Sequence, residues 1–572
     1  FVRHSSSGRQ LGYGELVESA SRITPPKKPK LKTPDQFRLL GKDVRRWDTP
    51  SKVNGSAIFG VDIELPGMLY GTVKHCNYCG GKIKNVDDSK AKEIPGVIAV
   101  IPLEDQVIVV ADSTWTAMRG AEKLKIDTTG GDNSLNDKNI FKQFKTDSAK
   151  EGVLVAQRGD YISPMSKAEK KVEMEYLSPM QAHAAMEPLC ATASVTPEGC
   201  EIWAPTQSSD FATMMAMGVT KLPPEKIKIQ TTYLGGGFGR KIEYDFLLAP
   251  LVASKALGKP VKITWTREED TRNDFFRPPF MINMQFGLDS SGLPDGLKVK
   301  LVGPAVSRRW QMPPPWLEEN GYDWVVTIGM FDGYNLPNQK PDLSKSYSIP
   351  NLKVDFVPSD IKVPTGAWRS IGTSHNIFAL ESGLDEVAVT GGNDPFELRG
   401  KLLSHNSRAI EVLDRAAELS GWGNPSEGRF LGMAYTDYLE TYQVQVAEIS
   451  VSQRGTVTVH KVTCVADCGQ VFNPHIARQQ LEGGIIFGLT AALKGEINVQ
   501  NGQIVQSNFD DYPMLKLKDT PEINVHLIDN HESPGALGEA GTPLIGPAVA
   551  NAVFAATGKR LRRLPIRRKD LA

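Results

Sequence analysis

Short β-branched runs separated by Pro, Gly and Asp turns fill the first part of the chain and predict an α+β arrangement. SAIFGVDI (56–63), LYGTVK (69–74), VIAVIP (97–102) and QVIVVAD (106–112) read as strands, and STWTAMRGAEKL (113–124) carries apolar residues at helical spacing. TGGDNSLND (129–137) is a turn-rich break. Beyond it, strands such as KIKIQTTYL (226–234) and VKITWT (261–266) alternate with helices such as DFLLAPLVASKAL (245–257). The helix-like stretch SHNIFALESGLDEVAVTGG (374–392) and the segment DPFELRGKLL (394–403) lead to a second block that begins near 405. There VQVAEISVS (444–452) and TVTVHKVTCVAD (456–467) predict strands, while ARQQLEGGIIFGLTAALKG (477–495) and PAVANAVFAAT (547–557) predict helices.

ASRITPPKKPKLKTPD (20–35) interrupts this pattern near the start. Its prolines remove backbone donors and its lysines prefer water, so it reads as an extended linker. The stretch HSSSGRQLGYGELVESA before it is too short to bury a core and reads as a remnant of something larger, residues 1–19. Domain boundaries follow at 36–150, 151–404 and 405–572, since 572 residues exceed what one core organises.

Composition changes the picture mainly by exclusion. Lys and Arg together number 66, equal to Asp and Glu, so no overall field draws in nucleic acid or an anionic membrane. A local basic tail, Lys559 to Arg563 and Arg567 to Lys569, reads as a solvated terminus or subunit contact. No run of about 18 apolar residues exists to span a bilayer. The chain starts at Phe1, so an upstream segment, and any export signal with it, is expected to be missing. Six cysteines do not make a disulfide scaffold in a chain of this length. Cys76 and Cys79, and Cys464 and Cys468, lack clean zinc spacing and read as buried or redox-silent pairs.

Five local features could carry chemistry. Leu234-Gly-Gly-Gly-Phe-Gly-Arg-Lys241 follows a predicted strand; its glycines allow main-chain amides to approach a ligand, or simply make a tight turn. It fits neither G-x-G-x-x-G nor a Walker loop, which weighs against a nucleotide-binding enzyme. Gly538-Glu539-Ala540-Gly541 precedes a helix with Pro547 in its first turn and Gly558 at its cap, so a helix start would keep the Glu539 carboxylate ionised. Gln181 and His183 lie in QAHAAMEP; alone, each reads as a packed, satisfied core residue. Arg369 stands in AWRSIG, with a salt bridge as its bland reading. In QQLEGG (479–484), glycines within a helical pattern imply close approach by another helix or a ligand.

In order and spacing, LGGGFGRK, AWRSIGTSHNIFALE, DCGQVFNPHIARQQLEGG, QSNFDDY and GEAGTPLIGPAVANAVFAATGKRLRRLP resemble the large subunits of the xanthine dehydrogenase/aldehyde oxidase family. They are most similar to its isoquinoline 1-oxidoreductase beta-subunit branch, which includes membrane-associated bacterial aldehyde dehydrogenases. KVNGSAIFGVDIELPGMLYGTV resembles that family's α/β hammerhead domain. The resemblance implies a hammerhead domain over 36–150 followed by two molybdopterin-binding α+β domains, with residues 1–19 the end of an upstream molybdopterin-binding segment.

It also implies a cofactor, molybdenum–molybdopterin cytosine dinucleotide, in which the pterin dithiolene and no protein atom holds the metal. Gly236, Gly237, Phe238, Gly239 and Arg240 would lie against it, and Gln181 would face an oxygen ligand of the metal. Arg369 and Ser370 would flank the pterin, and Gln480 its phosphate side. Gly538 adjoins Glu539, the family's base, which deprotonates the oxygen nucleophile before hydride passes to a sulfido ligand. The implied reaction is oxidation of an aldehyde or N-heteroaromatic compound; the alternative is a non-catalytic cofactor-binding scaffold. Ile242 stands where purine-oxidising members carry a Glu, which disfavours xanthine. The family's GQG-type pterin segment is missing, so it is expected from an upstream stretch or a separate chain. Electrons would leave through a small subunit with [2Fe-2S] clusters, and then a cytochrome c subunit carrying haem. Many members of the branch act in the periplasm, the location expected here.

Overall fold

The computed structural model describes residues 1–307, 323–331 and 346–571. Three sheets organise it. A seven-stranded sheet runs in the order Ile227–Thr231, Cys200–Ala204, Cys190–Val195, Val261–Thr264, Leu69–His75, Gln106–Ala111, Val97–Pro102. A five-stranded sheet follows the order Val153–Arg158, Asn351–Pro358, Pro294–Gly303, Phe280–Leu288, Lys170–Ser178. The third has four strands, Phe430–Thr436, Tyr442–Val451, Val457–Asp467 and Glu522–Ile528. The fold is α+β, with helices covering these sheets.

Most predicted strands and helices form where the pattern put them. SAIFGVDI does not: it holds a 3-10 turn at Gly60–Asp62, and only Phe59 touches a strand partner, Tyr233. The boundary drawn at residue 150 is crossed by one sheet. Val261 to Ile263 pair in parallel with Leu69 to Gly71, so strands from both sides of it share one sheet. The boundary at 404 divides chain but not core: one continuous cluster of buried residues runs from Val155 to Ile566 across the second and third sheets. Residues 21–33 carry no helix or strand and are exposed, and the helix Tyr13–Ala20 before them buries no residue.

The helix Thr373–Gly391 is buried almost all round between the second and third sheets. Such a helix must satisfy its polar side chains internally. Glu381 does so by accepting from the Tyr347 hydroxyl at 2.7 Å, the Tyr435 N–H at 2.8 Å and Arg399 Nε at 2.9 Å. His375 stacks on Phe280, with ring centroids 4.1 Å apart. Burial first, then the Arg277 guanidinium, pulls its imidazole down to about 3. The unfolded chain binds a proton near the ordinary value and the folded chain does not. This contribution is therefore intact above the ordinary value and is lost as pH falls towards the folded one. Between pH 6.5 and 5 the loss is about 2 kcal/mol, and His375→Gln is expected to flatten that slope in denaturant unfolding at the two pH values.

The basic tail is drawn onto the body in part, with Lys559, Arg568 and Lys569 left exposed. Arg560 pairs with Asp385, Arg562 with Glu386, and Arg563 and Arg567 both pair with Glu496. These four arginines are neutralised by the protein's own carboxylates, which hold the last segment onto the body. All six cysteines are unpaired thiols; burial pushes Cys79 and Cys468 up to about 11 and Cys464 up to about 12, so they stay protonated and unreactive. Among the described residues no helix is long and apolar enough to cross a membrane.

Candidate active site

The residues singled out in sequence converge on one short strap, Ala367 to Ser370, which leads into the buried helix at Thr373. Each of its residues holds a part of the chain distant in sequence, around residue 183, at Gln480 or at 538–539. The Ala367 carbonyl accepts from His183 Nε2 at 3.0 Å. Trp368 Nε1 donates to the Ala182 carbonyl at 3.1 Å. Arg369 donates from Nε and Nη2 to the Gly538 carbonyl at 2.9 and 2.6 Å, and from Nη2 to the Gln480 carbonyl and Oε1 at 3.2 and 3.3 Å. The Ser370 N–H donates to Glu539 Oε1 at 2.9 Å, and its hydroxyl donates to the Glu539 carbonyl at 2.7 Å.

Gly239 lies against the same strap. Its φ is +110°, and an added Cβ would overlap the Ala367 carbonyl oxygen. Its neighbours are packed likewise: a Cβ on Gly237 would sit 2.5 Å from Gln207 Oε1, and one on Gly235 would overlap the Glu187 side chain. The glycines are needed because the loop is pressed onto protein on the side where a Cβ would project. The N–H groups of Gly236, Gly237 and Phe238 nevertheless have no hydrogen-bond partner among the described residues. Three successive free amides form an acceptor-binding concavity.

Carboxylates anchor the loop from below. Glu187 accepts from the Gly235 N–H at 2.9 Å and Lys241 Nζ at 2.6 Å, with both side chains buried. Arg240 forms a fork onto Asp245 at 2.8 and 2.7 Å and reaches Asp274 at 3.0 Å. Its guanidinium is thus engaged by the protein's own carboxylates and anchors the loop. Gln181 is fully buried. Its Nε2 donates to the Gly495 carbonyl at 2.7 Å, and its Oε1 accepts from the Tyr512 hydroxyl at 2.8 Å, which fixes which way the amide faces. Phe238 stacks on Phe487 and Phe487 on Trp368, with centroids 4.7 and 4.6 Å apart.

The helix start is not what holds Glu539, which lies six residues ahead of the helix Ile545–Thr557. Its oxygens are engaged instead by the Ser370 N–H and by the Tyr438 hydroxyl. Backbone contacts fix its loop. Gln445 Nε2 donates to the Gly541 carbonyl at 2.9 Å, and a Cβ on Gly484 would meet Gly541 Cα at 3.0 Å. A Cβ on Gly488 would overlap the Thr542 carbonyl. The glycines of the helix Pro474–Leu493 therefore admit the Glu539 loop at backbone distance. Gly488→Ala is expected to force these elements apart and cost about 1–3 kcal/mol in denaturant unfolding; an unchanged midpoint would refute the contact.

Six non-glycine residues with positive φ surround this site: Ala184, Phe238, Ser370, Ile371, Leu439 and Glu440. Such conformations persist only where surroundings impose them, and they gather at functional sites. Tyr438, which sequence reasoning missed, is buried in the turn between two strands of the third sheet.

Comparison with known proteins agrees with this geometry. Two models of a molybdopterin cofactor-binding domain match residues 144–305 and 421–521. The isoquinoline 1-oxidoreductase subunit beta of Brevundimonas diminuta is 30% identical over 560 residues, 94% of this chain and 69% of that one. The membrane-bound aldehyde dehydrogenase [pyrroloquinoline-quinone] of Gluconacetobacter polyoxogenes is 29% identical, over 99% of this chain and 77% of that one. The fold matches quinoline 2-oxidoreductase from Pseudomonas putida 86 with a TM-score of 0.79 at 15% identity, covering 94% and 98% of the two chains. The chain belongs to the xanthine dehydrogenase/aldehyde oxidase family, as a molybdenum-cofactor-binding large subunit.

Proposed function

We propose that this subunit oxidises an aldehyde or an N-heteroaromatic compound, inserting oxygen derived from water, with Glu539 as the base. The observation that carries this reading is the strap Ala367–Ser370, which joins the glycine loop to the Glu539 carboxylate. The donor set suits the cofactor. Free amides at Gly236, Gly237 and Phe238, the exposed Gln480 amide and the Arg369 guanidinium are neutral or positive, as an anionic dithiolene and its phosphates require, while the buried Gln181 amide is held by Gly495 and Tyr512. When bound, the cofactor supplies the two-electron redox chemistry.

This chain's residues then do the rest. Glu539 takes a proton from the oxygen nucleophile through a carboxylate oriented by Ser370 and Tyr438. Burial lowers the proton affinity of Arg369, and the nearby Glu539 carboxylate raises it again; the cation holds the Gly538 end of the loop. Ile242, only partly buried beside the glycine loop, offers an apolar contact, which favours a less polar substrate than a purine. A cytosine dinucleotide form, a [2Fe-2S] partner subunit and a cytochrome acceptor complete the proposal. Two relatives are themselves named as subunits, beta and B, of larger enzymes.

The test is metal and nucleotide analysis of the complex purified with its partner chains, followed by dye reduction with aldehydes and N-heteroaromatics. Molybdenum, released cytosine nucleotide and substrate-dependent reduction are expected. A complex without molybdenum, or a molybdenum-loaded complex inert to both substrate classes, would overturn the reading.

A further inference from the structure

Tyr438 sits in the turn Tyr438–Glu440 between Phe430–Thr436 and Tyr442–Val451 and is 1% exposed. Buried phenols usually place their hydroxyl on an acceptor, most often a carbonyl. This one donates to Glu539 Oε2, across 101 residues of sequence. The other oxygen, Oε1, is taken by the Ser370 N–H. With a donor on each oxygen, the carboxylate plane is fixed and one lone pair on each oxygen stays free to accept a proton. Burial, and then the Glu539 carboxylate, pushes the phenol well above its usual range, so it remains a donor.

The turn is built for this placement at some cost. Leu439 and Glu440 both have positive φ, at 44° and 66°. The loop just ahead of Glu539 grips it in return. Ala536 N–H donates to the Leu439 carbonyl at 3.0 Å, and Thr441 Oγ1 donates to the Ala536 carbonyl at 2.8 Å. Gly535 leaves room for the contact, since a Cβ there would lie 2.6 Å from the Glu440 carbonyl. Positive φ at both residues is what a two-residue hairpin turn between antiparallel strands requires, here closed by the Thr441 N–H on the Tyr438 carbonyl at 2.9 Å, and it fixes where Tyr438 stands.

We infer that Tyr438 is a positioning residue for the base, holding the Glu539 carboxylate through its second oxygen so that its free lone pairs face the reacting oxygen. This rests on the reading of Glu539 as base. Tyr438→Phe keeps the ring that packs in the core and removes only the hydroxyl. In the cofactor-loaded complex, kcat is expected to fall about tenfold to a hundredfold while KM changes less than about twofold. In the cofactor-free full chain, infrared bands of the Glu539 carboxylate, identified as those lost in Glu539→Gln, are expected to shift in Tyr438→Phe. Tyr435→Phe, which removes a buried hydroxyl without a partner in the neighbouring strand, controls for stability and should move neither.

Unshifted bands, or shifted bands with unchanged kcat, would overturn the positioning role. So would a fall in kcat matched by an equal fall in Tyr435→Phe. Retained turnover in Glu539→Gln would instead remove the base itself, so the two failures are distinguishable.

Discussion

Glu539→Gln is expected to lower kcat by about four orders of magnitude, with molybdenum content and unfolding midpoint unchanged. A positioned base contributes about two to four orders, and the upper end applies where the base generates the nucleophile. The amide can keep its oxygen on the Ser370 N–H and donate from its nitrogen to the Tyr438 hydroxyl oxygen, so the loop retains both contacts. Rate is therefore lost without structure. Near-wild-type turnover in a metal-replete Glu539→Gln protein would remove Glu539 from the chemistry.

The second large effect is structural. Gly239→Ala is expected to destabilise the protein by about 4 kcal/mol or more and to leave it unable to retain cofactor. Two penalties combine. At φ +110° a Cβ is strained, and it would overlap a main-chain atom, the Ala367 carbonyl oxygen, which cannot rotate away. Relief requires moving the strap, and with it Arg369 and Ser370. Gly258→Ala is the control: its φ is +64° but nothing lies within 4 Å of the added carbon, so only the conformational cost of about 1–2 kcal/mol applies. Equal unfolding midpoints for the two variants would show that the Ala367 contact is not what Gly239 is for.

The sequence disclosed the site unevenly, for physical reasons. Elements built on local periodicity, such as Gln106–Ala111 and Thr373–Gly391, were legible because their patterns are self-contained. Pairings between distant strands were not. Nothing near Val261 marks Leu69 as its neighbour, so a boundary was drawn through a sheet. The glycine run announced itself, yet its reason did not: the groups filling its Cβ space, Glu187, Gln207 and Ala367, lie far away in sequence. Glu539 was reached through its flanking glycines and a family resemblance. Tyr438 carries no motif, and its partner is purely tertiary. The one available hint was DYLE between two strong strand patterns, a turn without glycine and hence one open to strain. Arg240 was named only through the resemblance; its partners Asp245 and Asp274 carried no signal of their own in the sequence.

The strap Ala367–Ser370 also dictates an order of events in biosynthesis. Its partners lie 184 residues upstream at His183 and 111 and 169 residues downstream at Gln480 and Gly538. Contacts of such separation close late, after the intervening chain has been synthesised and has collapsed. While residues beyond Ser370 are still being made, the cleft lacks the wall that carries the carboxylate. A nascent subunit therefore has no finished receptacle to offer until the chain has been made through Glu539.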